Sequence, residues 1–405
     1  MTSELRRNWP LVVSACVGVA CSSIVLPFYT IGALIKPLSE AYGWARADVT
    51  TAILFSSGLG ALTAPLVGAL CDRYGPRVLV LPGLAGLGVA FLIAANMNGE
   101  LWMFYLAYGA MALLGAGTTP VTWTRAIAAA FDRQRGLALG LTLSGTGICA
   151  TLIPAYTVWL VESFGWRVAY VGIALLPMLV AGPVAFFAFR PERTVPAHSS
   201  ATADAGTWGL TLGEAARGYR FWVLCLSIML VYLAVSGISP NLIAALTDQG
   251  FTPAQAATAQ GAYGIAIMVG RVMVGHLVDR FWAPAVALVA LSLPALGALL
   301  LTGSPAFAWV LAAAVLIGFA AGAELDLMSF FAARYFGIRH YARIYAVLYA
   351  ILAVAGGSAP FLFSMVYDRT GSYRFGFFIA AGLFVVAAAI LPALGRYPRP
   401  PATAA

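Results

Sequence analysis

"GHLVDRFW", residues 275–282, repeats "GALCDRYG", residues 68–75, at an offset of 207 positions. Each copy holds a glycine, an Asp-Arg pair four residues on, and an aromatic directly after it. "GWRVAY", residues 165–170, returns as "SYRFGF", residues 372–377, with Arg167 and Arg374 again 207 apart; Trp44 and Phe251 keep the same spacing. A chain of 405 residues that repeats at about half its length is built from two similar halves.

What fills each half is apolar. The composition is 61% hydrophobic and 9% charged, with a mean hydropathy of +0.90, whereas soluble domains carry about 25% charged residues. Twelve stretches are apolar over roughly 20 residues, the length a helix needs to cross about 30 Å of hydrocarbon. They run at about 11–36, 48–70, 78–96, 101–124, 136–161, 167–189, 221–246, 253–277, 284–303, 306–331, 341–366 and 374–394. The expectation is an all-α membrane protein: twelve transmembrane helices in two pseudo-symmetric six-helix bundles, with no room for a soluble domain. Residues 1–189 make the first bundle, 190–219 a cytoplasmic central loop, 220–395 the second bundle and 396–405 a cytoplasmic tail. The end of that loop, "TLGEAARGYR", predicts a short helix capped by Thr211 with Glu214 three residues on. The first apolar stretch follows "MTSELRRN", has no small-residue cleavage site and is too long for a signal-peptide core, so it is expected to be retained.

The net charge of +8 suggests a nucleic-acid partner only until the charges are placed. Of 23 lysines and arginines, 17 fall on one set of helix ends and loops and five on the other, and Arg271 lies inside a span. The positive-inside rule then puts both termini in the cytoplasm. The basicity is topological, and no nucleic-acid partner is expected. Short loops, Lys36 as the single lysine and an Ala/Gly-rich chain suit a bacterial inner-membrane protein. Cys16, Cys21, Cys71, Cys149 and Cys225 all fall in or at the ends of spans without metal spacing, so neither a disulfide nor a metal is expected. His198, His276 and His340 lie in or near cytoplasmic segments, which disfavours a mid-membrane histidine relay. No nucleophile-base motif or phosphate-cradling loop is present, so neither an enzyme nor a cofactor is expected.

"GALCDRYGPR", residues 68–77, resembles the G-x-x-x-D-R-x-G-x-R/K signature of the major facilitator superfamily, with the weaker copy between spans eight and nine. The resemblance covers the whole chain. It implies two bundles rocking around a central site, in alternating access. It assigns gating to Gly68, Asp72, Arg73 and Arg77, and to Asp279 and Arg280 of the second copy. Gly68 would permit close helix approach, and the charges would pair differently in the open and closed states. The simpler alternative is a tight helix-loop-helix with charged anchors.

A narrower resemblance sits at span five. "FDRQRGLALGLTLSGTGICATL", residues 131–152, is similar to the opening of that span in monocarboxylate transporters and in oxalate/formate-type antiporters, matching at Phe131, Arg135, Leu137, Ala138, Gly140, Gly145 and Gly147. "YGWARADV" before span two and an arginine in span eight strengthen it. Two positions depart from the animal members: Phe28 stands where they carry a lysine, and Ile267 where they carry an aspartate.

Arg271 has no copy in the first half, where the repeat places Ala64. It lies eight residues before Asp279, roughly 12 Å deeper in the membrane at 1.5 Å per residue. A charge near the midplane costs at least about 2.5–3.5 kcal/mol to insert and usually faces a cavity. A guanidinium there can take both oxygens of a carboxylate, the role the family resemblance gives it. The alternatives are snorkelling and a fixed pair with an acid of span ten. Span ten supplies Glu324 and Asp326, two residues and about 200° apart on a helix, so they cannot both face one cavity. One of them could pair with Arg271 when the site is empty and carry a proton when substrate takes the arginine; a permanent salt bridge is the alternative. Tyr29, Thr118, Thr119, Tyr232, Ser236, Tyr345 and Tyr349 are further lining candidates.

The expected function is a secondary active transporter of small organic monocarboxylates of the lactate or pyruvate kind, driven by proton symport. Its partners would be a small organic anion, protons and the lipid bilayer, and it would work as a monomer. An organic-anion antiporter of the oxalate/formate type and an exporter of apolar compounds are the competing readings.

Overall fold

The computed structural model describes residues 3–131, 135–190, 209–303, 306–337 and 339–398; the side chains of Asp72 and Asp279 lie outside the described residues. Spans two (Arg46–Tyr74), three (Pro76–Ala95), seven (Tyr219–Asp248), eight (Pro253–Arg280), nine (Ala283–Leu300), ten (Phe307–Phe336) and eleven (Tyr341–Thr370) are single helices. Among the described residues, eleven helical segments are long and apolar enough to cross a membrane. Span four makes the twelfth crossing by joining Leu101–Leu114 to Pro120–Ala130 through a 3₁₀ turn at Ala116–Thr118. The fold is therefore the twelve-helix one expected.

The interruptions were not expected. Span one is two helices, Ser3–Ala20 and Val25–Tyr42, and span five is Arg135–Leu143 followed by Gly145–Phe164. Span six passes from Trp166–Leu175 through a π-turn, Leu176–Ala181, into Gly182–Ala188. Span twelve (Arg374–Ile390) closes in a 3₁₀ turn, Leu391–Leu394. Proline stands at the breaks in spans one and four, where it has no N–H for the carbonyl four residues back. Pro27 denies the Ser23 carbonyl its helical donor, and Pro120 that of Ala116, which takes the Thr119 N–H of the 3₁₀ turn instead (3.3 Å).

Among the described residues, the halves meet chiefly along span one on seven, two on eleven, and five on eight. The last two are related by the internal repeat. Inside the second half, spans eight and ten pack backbone to backbone. A Cβ at Gly270, Gly318 or Gly322 would overlap the facing main chain, the close approach that small residues give membrane helices. This contact fixes the register between Arg271 on one helix and Glu324 and Asp326 on the other. The capped helix expected at the end of the central loop forms as Leu212–Arg217. Glu214 N–H donates to Thr211 Oγ1 (3.3 Å), and Thr211 N–H donates to the Glu214 carboxylate (2.8 Å).

Candidate substrate cavity

The breaks in spans one and four meet at mid-membrane depth. Ser23 N–H donates to Thr118 Oγ1 (3.0 Å), that hydroxyl donates to the Gly115 carbonyl (2.7 Å), and Trp123 Nε1–H donates to the Thr118 carbonyl (2.9 Å). Irregular backbone is tolerated at such depth where it is buried in protein or lines a cavity. Here it does both. Thr118 was expected to line the substrate path, but it is fully buried and its hydroxyl is occupied by the two broken helices. Thr119, the next residue, lines the cavity, and its hydroxyl has no hydrogen-bond partner.

That cavity has a volume of about 210 Å³ and takes its walls from both halves. Spans one, two and four give Phe28, Tyr29, Ser57 and Thr119; spans seven, eight, ten and eleven give Tyr232, Ser236, Tyr263, Ile267, Arg271, Glu324 and Tyr349. Seven residues singled out in the sequence (Arg271, Tyr29, Thr119, Tyr232, Ser236, Tyr349 and Glu324) are thus brought together. Asp326 is not among the lining residues, as the opposed faces of its helix require. Tyr345 stands behind Tyr349, ring stacked on ring. Lys36 lines a different cavity with Glu40 and Glu162.

Among the described residues Arg271 is the one cation lining this cavity. Its side chain is 13% exposed, and its Nε lies 3.7 Å from an Asp326 oxygen, beyond hydrogen-bond length. Nε has no hydrogen-bond partner. Glu324 is 8% exposed, and its Oε2 is also without a partner. Both carboxylates lie within electrostatic reach of the guanidinium. A buried donor or acceptor left unmade costs about 1–3 kcal/mol.

At the arginine-poor end the halves are clasped by a cluster the sequence reading missed. Arg46, at the start of span two, gives two hydrogen bonds to Asp248 at the end of span seven (2.5 and 2.9 Å). Its guanidinium lies over the Tyr367 ring at 3.9 Å. The backbone N–H groups of Arg46 and Ala47 donate to the Asp368 carboxylate (3.2 and 2.8 Å), so an acid of span eleven caps the helix of span two. Tyr373 stands beside Arg46 and donates to Asn241 Oδ1, which Ser364 also approaches. The available signal was an acid near the arginine-poor end of spans seven and eleven, facing an arginine at the start of span two.

At the arginine-rich end the signature residues are open. A Cβ at Gly68 or Gly275 would meet nothing within 4 Å, so the close approach expected of Gly68 is absent in this conformation. Arg73 and Arg280 are exposed. Arg77 donates to the Phe186 carbonyl (2.7 Å), a bond within the first half. The clasp and the open glycines together describe a cavity shut toward the arginine-poor side.

The likenesses to known proteins agree with this geometry. Residues 11–234 and 224–405 each match the model of the Major Facilitator Superfamily. The chain is 26% identical over 397 residues to monocarboxylate transporter 13 of Rattus norvegicus, covering 96% of this chain and 89% of that one. It is 25% identical over 425 residues to monocarboxylate transporter 11 of Homo sapiens, covering 96% and 83%. It is 27% identical over 329 residues to a gallate transporter of Pseudomonas putida, covering 71% of each. A bacterial homologue of the human lysosomal transporter Spinster shares the fold at a TM-score of 0.74 and 16% identity, over 99% of this chain and 100% of that one. Two half-chain matches, twelve crossings and a central cavity walled by both halves make one conclusion: the chain belongs to the major facilitator superfamily of transporters.

Proposed function

We propose that this protein moves small organic monocarboxylates across a membrane together with a proton, with Arg271 as the carboxylate receptor. One observation carries the proposal: Arg271 Nε and Glu324 Oε2 both belong to the wall of one cavity, both are buried, and neither has a hydrogen-bond partner. A carboxylate entering the cavity gives the guanidinium its forked acceptor. The acid that had balanced Arg271 then stands alone in a low-dielectric wall, where a lone carboxylate is neutralised by taking up a proton. Glu324, the more buried of the two, is the proton carrier in this scheme, and Asp326 holds the guanidinium from its more exposed side.

Charge is conserved through the cycle. The empty site holds the arginine and two acids; the loaded site holds the arginine, Asp326, the substrate anion and a protonated Glu324, so the net charge is the same in both. The clasp at Arg46 closes the arginine-poor side while substrate exchanges on the other, and in a bacterial inner membrane the arginine-rich side would face the cytoplasm. The relatives named for monocarboxylates and for gallate, itself a carboxylate, support the choice of anion.

Proteoliposome uptake of labelled carboxylate tests the proposal, with and without an inward proton gradient or a trapped internal anion. Symport predicts uptake driven by the gradient and lost in Glu324→Gln. Uptake that needs internal anion and ignores the gradient would replace symport with exchange.

A further inference from the structure

The cavity that would receive the carboxylate is large and aromatic for the smallest acids. Its volume is about 210 Å³, room for several waters. Phe28 and Tyr29 of span one, Tyr232 of span seven, Tyr263 of span eight and Tyr349 of span eleven all border it. A three-carbon acid anchored at Arg271 leaves those faces without partners and forfeits their dispersion contacts.

A second observation concerns span eleven. Tyr341, Tyr345 and Tyr349 recur every fourth residue and stack in a ladder, with centroids 5.4 and 6.4 Å apart and ring planes within 25° and 22°. The middle ring lies within electrostatic reach of Arg271 and Asp326. The last ring, Tyr349, is on the cavity wall and 43% exposed, so its place in the ladder is open to one more ring. Phe28 and Tyr29, edge-on to each other at 5.2 Å, border the same cavity.

We infer that the cargo is an aromatic monocarboxylate, its carboxylate on Arg271 and its ring against Tyr349 and the Phe28–Tyr29 pair. The inference rests on the reading of Arg271 as carboxylate receptor and adds a ring to it. Shape and polarisation by facing rings then set specificity, since an aliphatic ring of the same size fills the space without the quadrupole contacts.

Three probes separate these ideas in a binding titration of the full-length protein in lipid nanodiscs: benzoate, cyclohexanecarboxylate and lactate. Benzoate should bind about tenfold tighter than cyclohexanecarboxylate, and tighter still than lactate. Tyr349→Leu should weaken benzoate about tenfold and leave cyclohexanecarboxylate unchanged, while Tyr349→Phe keeps wild-type affinity. Equal affinity for the two six-membered rings, tighter lactate, or benzoate binding indifferent to Tyr349→Leu would overturn the aromatic assignment and leave Arg271 as a carboxylate receptor. Binding of none of the three would overturn both.

Discussion

Replacing Arg46 by Gln removes both hydrogen bonds to Asp248 and the charge over Tyr367, while Asp368 keeps its two backbone donors. Truncating one partner of a buried, hydrogen-bonded charge pair costs about 2–5 kcal/mol. Side-chain exposures of 10% for Arg46 and 24% for Asp248 place this pair at the lower end, near 2 kcal/mol, because solvent screens part of the attraction. The clasp joins the halves only when the arginine-poor side is shut, so the loss falls on that state. About 2 kcal/mol is about a 30-fold shift, enough to turn a population of about 100:1 into about 3:1. Spin labels at Glu40 and Ala254, on opposite halves at that end, report the change by pulsed dipolar spectroscopy. Wild type should give one short distance, and Arg46→Gln should add a longer component of about a quarter. Arg46→Lys, which keeps the charge and loses the fork, should fall between them. Identical distributions in all three proteins would refute the clasp as a determinant of closure.

Other variants probe the remaining parts. Thr118→Val leaves the buried Ser23 N–H without its acceptor and should lower stability by about 1–3 kcal/mol, read as an earlier thermal midpoint, with substrate affinity of the folded protein unchanged. Gly68→Leu meets open space here and should leave the thermal midpoint near wild type, yet suppress transport if the other conformation brings helices together at that point; unimpaired transport would remove Gly68 from the gate. At the central loop, the Thr211 backbone N–H holds the Glu214 carboxyl below the usual carboxylate range. A depressed value means the cap stabilises at neutral pH and is lost as pH falls through it. Amide-exchange protection of residues 212–217 should therefore decline below about pH 4, and protection independent of pH would contradict the cap.

The twelve crossings were legible because lipid imposes a length and a composition on every span, and the 207-residue offset tied the halves together. The broken spans were not. Pro240 and Pro360 sit inside unbroken helices, whereas Pro27 and Pro120 stand beside breaks, so a proline in the pattern does not by itself mark a break. Beside the first two, Asn241 Nδ2–H ties span seven to span eleven, donating to the carbonyls of Gly237 and Pro360.

Arg271 and Glu324 were legible as charges in apolar helices. Thr118 and Thr119 were both lining candidates; that only Thr119 reaches the cavity was not legible, since a 3₁₀ turn rotates successive side chains by a different angle from the α-helix that the pattern assumed. Arg46 was passed over because an arginine at a membrane boundary needs no special account; only the fold brings Asp248 and Asp368 to it from the other half. Phe28 and Ile267 looked like departures from a resemblance. The structure places both on the cavity wall, where they make it apolar.

The account stands on Arg271. Its most direct test is the affinity for benzoate of wild type, Arg271→Lys and Arg271→Gln, each shown folded by an unchanged thermal midpoint. Loss of a forked, buried charge-assisted pair predicts at least about a 30-fold weaker affinity in Arg271→Gln, with Arg271→Lys between the two. Wild-type affinity in Arg271→Gln would contradict it.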